Sequence, residues 1–82
     1  HKLELYVMDG CPFCIKVKAF LAKNGIEIPE CNISTDPNAE RTLIEVGGKR
    51  QVPCLFIDGK PLYESDDIID WVRQNMLECS SR

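Results

Sequence analysis

Cys11 and Cys14, in the stretch "DGCPFC" (residues 9–14), are two thiols separated by a proline and a phenylalanine. A pair at this spacing can ligate a metal, staple a loop or exchange electrons. A structural zinc site takes four ligands, usually from two close-spaced pairs. Here Cys31, Cys54 and Cys79 stand apart and the single histidine is the terminal His1, so no second half-site exists and no metal is expected. A disulfide closing so short a loop stabilises little. Redox exchange is left as the chemistry the pair suits best.

The neighbouring residues assign polarity within the pair. A thiol attacks only as thiolate, and an ordinary cysteine is mostly protonated at neutral pH. The pattern turns helical at Pro12, and proline is favoured at a first helical position because its missing N–H would find no partner there. Cys11 then sits at the helix mouth, where unpaired N–H groups and partial positive charge favour an anion. Cys11 is expected to be the more acidic, more exposed nucleophile, and Cys14, one turn in, the resolving thiol. Asp9 would oppose ionisation if its carboxylate turned inward.

The elements that must hold this pair can be read in order. "LELYVM" (3–8) is a buried strand. A helix follows from Pro12, with Phe13, Val17, Phe20 and Leu21 on one face and Gly25 as its stop. "IEIPECNI" (26–33) is a second strand, placed at a sheet edge by Pro29. Asp36 caps a helix whose apolar stripe is Ala39, Leu43 and Val46, ending at Gly47. "PCLFIDGKPLY" is a hairpin around Asp58-Gly59, a pair suited to a type I′ turn. "SDDIIDWVRQNMLE" is a last helix with Ser65 as N-cap and Ile68, Ile69, Val72 and Met76 buried. The order βαβαββα implies a parallel pair with a right-handed crossover followed by an antiparallel hairpin. One α/β domain over residues 1–82 is expected, with a four-stranded mixed sheet flanked by helices.

Composition narrows the function class. With 82 residues there is room for one core. The chain is 44% hydrophobic and 28% charged, in the range of a folded globular protein. A net charge of −3 with scattered lysines offers no basic stripe, so nucleic acid is not an expected partner. No apolar run reaches the roughly 20 residues of a membrane span. The chain opens on His1 rather than methionine, which suggests a trimmed start, and no leader pattern is read. Five cysteines at irregular spacing suit a reducing cytoplasm better than a secreted disulfide framework.

Cys11-Pro12-Phe13-Cys14 after a strand, Val52-Pro53, and Ser65-Asp66-Asp67 opening the last helix resemble, along the whole chain, a dithiol glutaredoxin of the thioredoxin-fold superfamily. The resemblance implies a monomeric glutathione-dependent thiol–disulfide oxidoreductase acting on protein disulfides and glutathionylated proteins. It implies a cis Pro53 facing Cys11, with the Val52 backbone pairing the cysteinyl part of glutathione. The γ-glutamyl carboxylate would meet the N–H groups of Ser65 and Asp66, and the Asp66 side chain would take the α-amino group. Lys49 and Arg50 would hold the glycine carboxylate, and Phe13 would form a lip beside the thiolate.

Two positions depart from the family pattern. Met8 stands where a lysine or arginine is common, and Tyr63-Glu64 where Gly-Gly is. "PLYESDDI" is also similar to glutathione transferases, which implies that Glu64 and Ser65 touch the γ-glutamyl group. The departures keep open a thioredoxin-like dithiol reductase indifferent to glutathione. A third reading, a glutathione-ligated iron–sulfur carrier in which Cys11 of two chains holds one cluster, resembles other members of the family, which usually lack a proline where Pro12 stands. Cys54 reads as a small buried hydrophobe, and Cys31 and Cys79 as bystanders.

Overall fold

The computed structural model describes residues 2–77; Cys79 and His1 lie outside them. Strand β1 (Leu3–Val7) is followed by helix α1 (Pro12–Lys23), β2 (Glu30–Asn32), α2 (Pro37–Gly47), β3 (Cys54–Ile57), β4 (Lys60–Tyr63) and α3 (Ser65–Val72). A π-helical turn, Arg73–Leu77, continues from α3. The expected single last helix is therefore divided. Asn75 Nδ2 donates to the Trp71 carbonyl at 2.8 Å across the junction.

The strands form one sheet in the order β2-β1-β3-β4. β1 runs parallel to β2 and antiparallel to β3, and β3 and β4 are the arms of the hairpin. This is the mixed four-stranded sheet of the thioredoxin fold. Asp58 and Gly59 have φ of 52° and 85°, both positive as a type I′ turn requires. Asp58 is tied back to the first strand by its N–H to the Lys2 carbonyl at 2.9 Å. β2 is shorter than its apolar pattern predicts. Ile28 is buried ahead of it, and Pro29 offers only a carbonyl, which accepts from the Leu5 N–H at 2.9 Å.

Because side chains alternate across a strand, the sheet has two separate cores. Leu5, Val7 and Leu55 face α1 and α3, meeting Cys14, Val17, Leu21, Ile68 and Val72. Tyr6, Cys54 and Phe56 face the other way, onto Ala39 and Leu43 of α2. Both cysteines of the pair belong to the first core.

The α2 boundaries match the sequence reading. Asp36 Oδ1 accepts from the N–H groups of Asn38 at 2.9 Å and Ala39 at 3.4 Å, and Gly48 closes the helix at a left-handed φ of 90°. The stripe does not extend to Val46, which is exposed. Four residues after Leu43 comes Gly47, and the Tyr63 hydroxyl fills the space where a side chain there would lie. The helix face thus ends on a glycine, and Val46 is turned out. Phe13 is likewise not a core residue: it is 60% exposed, while Cys14 takes the inward position in the first turn.

Candidate active site

Strand β1 ends at Val7, and a turn through Asp9 and Gly10 (φ 74°) delivers Cys11 to the start of α1. Pro12 occupies the first helical turn, and Cys11 is the N-cap. Its Sγ accepts the Cys14 N–H at 3.3 Å, the role a serine or aspartate oxygen plays at most helix starts. The Asp9 carboxylate accepts from Asn32 Nδ2 at 2.8 Å.

The two sulfurs differ in surroundings. Cys11 is 7% exposed and Cys14 1%, the order the sequence predicts, though both are more enclosed than it suggests. Burial pushes the Cys14 thiol up to about 12, with the hydrogen bond and charge of Cys11 adding to it. Cys14 therefore stays protonated at neutral pH.

Beside the pair lies a cleft of about 320 Å³ lined by Phe13, Gln51, Val52, Pro53, Glu64, Ser65 and Asp66. It brings together five of the residues the sequence nominates: Phe13, Val52, Pro53, Ser65 and Asp66. The Val52-Pro53 bond is cis. Among the described residues, no hydrogen bond engages the backbone N–H or C=O of Val52.

Ser65 is not the N-cap. Glu64 holds that place at φ 72°, with no side-chain cap bond, and Ser65 is the first helical residue, buried. The positive φ at Glu64 swings the chain into the helix one residue earlier than the serine signal predicts. The result keeps the first N–H groups of α3 clear of a side-chain cap, which suits an anion.

Lys49 and Arg50 do not line the cleft. The Lys49 ammonium sits over the Tyr63 ring, 4.6 Å from its centre. Arg50 Nε pairs with Glu40 Oε2 at 2.9 Å, and its Nη2 reaches Met8 Sδ at 3.8 Å. Gln51, by contrast, lines the cleft and went unnoticed in the sequence, where nothing but its place before Val52-Pro53 marks it; its Nε2 donates to Glu64 Oε1 at 3.4 Å. Cys54 is buried on the opposite core, and burial pushes its thiol up to about 11, so it is no rival nucleophile.

The glutaredoxin family model matches residues 3–62. Glutaredoxin 1 of Rickettsia prowazekii (strain Madrid E) is 32% identical over 80 residues, covering 95% of this chain and 84% of its own. Among solved structures, a thioredoxin-like protein superimposes with a TM-score of 0.75 at 29% identity, over 89% of this chain and 97% of that one. A buckwheat glutaredoxin–glutathione complex shares the fold with a TM-score of 0.72 at 22% identity, over 95% of this chain and 74% of that one.

Proposed function

The chain belongs to the glutaredoxin family, whose chemistry is thiol–disulfide oxidoreduction, and from that premise we propose a glutathione-dependent enzyme with Cys11 as nucleophile and Cys14 as resolving thiol. The observation that carries the reading is the cleft. It joins the lip residue of the CPFC turn, an unpaired backbone at Val52 and a helix start free of a side-chain cap in one pocket.

A γ-glutamyl-cysteinyl-glycine chain suits these features in order. Its cysteinyl amide pairs with Val52 as an added strand, ahead of Pro53. The γ-glutamyl carboxylate takes the N–H groups of Ser65 and Asp66, and the α-ammonium goes to the Asp66 carboxylate. Phe13 covers the sulfur. Lys49 and Arg50, next in chain to Gln51, are the cations available to the glycine carboxylate.

On a glutathionylated protein, the Cys11 thiolate attacks the glutathionyl sulfur and the S–S bond breaks. The protein leaves as a thiolate and takes up a proton. A second glutathione thiolate then attacks the Cys11 mixed disulfide, releasing glutathione disulfide and regenerating the Cys11 thiolate. On a protein disulfide, Cys14 resolves instead. After Cys11 has opened the substrate disulfide, Cys14 loses its proton, attacks the Cys11 sulfur and expels the substrate's second thiolate, which is protonated; the resulting Cys11–Cys14 disulfide is reduced by two glutathiones, which leave as glutathione disulfide.

Replacing Cys14 with serine tests the assignment. Deglutathionylation survives and protein-disulfide reduction fails, while Cys11→Ser loses both; activity remaining in the Cys11 variant ends the reading.

A second reading, a dithiol reductase served by a thioredoxin-type reductase, is favoured by the Glu64 carboxylate in the cleft wall, which repels an anionic peptide. Turnover coupled to glutathione and its reductase, compared with turnover coupled to thioredoxin reductase, separates the two.

A further inference from the structure

Asp66, the residue assigned to the α-ammonium, is already engaged. Lys16 of α1 donates from Nζ to Asp66 Oδ1, although the two are fifty residues apart in sequence. α1 and α3 pack side by side, which brings the lysine to the first turn of α3. Asp66 also forms the boundary between the cleft and a neighbouring groove of about 570 Å³ between the two helices, and Lys16 stands on the groove side.

An ammonium on Oδ1 changes what the cleft can recognise. It offsets part of the charge that would attract a ligand ammonium. It also adds a positive charge near the helix start that favours a ligand carboxylate. For a γ-glutamyl head, which carries both groups, the two effects oppose each other. We propose that Lys16 is a specificity-determining residue: through Asp66 it weakens the cleft's selection for the α-amino group and shifts recognition toward the carboxylate. The proposal rests on the glutathione reading of the cleft. Both side chains are well exposed, so the effect is modest and screened by salt.

The test compares two peptides, one disulfide-linked to glutathione and the other to its desamino analogue, in which the γ-glutamyl group is replaced by glutaryl. The readout is the ratio of kcat/KM for the two, in wild type, Lys16→Met and Lys16→Arg. Lys16→Met raises the preference for the amino-bearing substrate by about two- to five-fold, the span that exposed ion pairs cover. Lys16→Arg keeps the wild-type ratio, and the difference between wild type and Lys16→Met shrinks at high salt. A merely structural role would lower both rates and leave the ratio alone. Glutathione turnover with an unchanged ratio in Lys16→Met overturns this proposal and spares the reading of the cleft. No turnover with glutathione in any form overturns both.

Discussion

The Cys14 backbone N–H points at Cys11 Sγ, 3.3 Å away, while the Cys14 thiol is buried behind it. One residue thus engages its partner's sulfur with its main chain and withholds its own side chain. The proposed order, attack by Cys11 and resolution by Cys14, draws on this arrangement.

The thiols predict how stability depends on pH. Burial first, then the hydrogen bond and charge of Cys11, raise Cys14 to about 12, and burial raises Cys54 to about 11. A thiol whose folded pKa exceeds its unfolded value binds its proton more tightly when folded. Its stabilisation is complete below the unfolded pKa of about 8.5 and is lost as pH rises through the folded value. Under reducing conditions the urea midpoint should hold from about pH 7 to 8.5 and fall between about pH 9 and 11. Cys54→Ala should show a shallower alkaline decline, and a midpoint level to the alkaline limit contradicts the burial of these thiols.

Glu64 adopts φ 72°, a region that favours glycine. Glu64→Gly should leave stability unchanged or raise it by up to about 1 kcal/mol, because relief of strain offsets the added freedom of the unfolded chain. It also removes a carboxylate from the cleft wall, so the KM for a glutathionylated peptide should fall. Glu64→Ala, which removes the charge but keeps the Cβ, should lower KM without the gain in stability.

Gly47 leaves room for the Tyr63 hydroxyl, which donates to the Lys49 carbonyl at 3.2 Å. Gly47→Ala should displace that hydroxyl and cost about 1–2 kcal/mol by chemical denaturation. In a Tyr63→Phe background the same change should be neutral or stabilising, since alanine is the better helix residue. Equal losses in both backgrounds would show that the contact does not set the cost.

Arg50 lies outside the cleft lining, held by Glu40. If it turns to the glycine carboxylate on binding, Arg50→Ala should raise KM for a glutathionylated peptide by about five-fold with kcat unchanged, the upper range for an exposed pair. Glu40→Ala, which frees Arg50, should lower KM. An Arg50 variant with wild-type KM assigns the glycine end to another group.

What was legible in the sequence was local. Pro12 at the start of α1, Asp36-Pro37 at α2 and Asp58-Gly59 in the hairpin each act within a few residues, and each element begins or turns where they stand. The apolar runs likewise mark β1 and β3 as buried strands, though that two cores lie on opposite faces of the sheet is a finding of the structure. The misses share the opposite property. Val46 lost its place in the core because Tyr63, from β4, claims the space beside Gly47. Ser65 lost the cap because the backbone at Glu64 enters the helix a residue sooner. The Lys16–Asp66 pair depends on α1 lying against α3, and the Arg50–Glu40 pair on the stretch after α2 reaching back to that helix; no spacing along the chain announces either.

The most direct test of the central claim uses the Cys14→Ser protein, mixed with a glutathionylated peptide and quenched with acid before mass spectrometry. The account predicts free peptide and a single glutathionyl group on Cys11. Glutathione on Cys31 or Cys54, the peptide itself on Cys11, or an unmodified protein with intact substrate would contradict it.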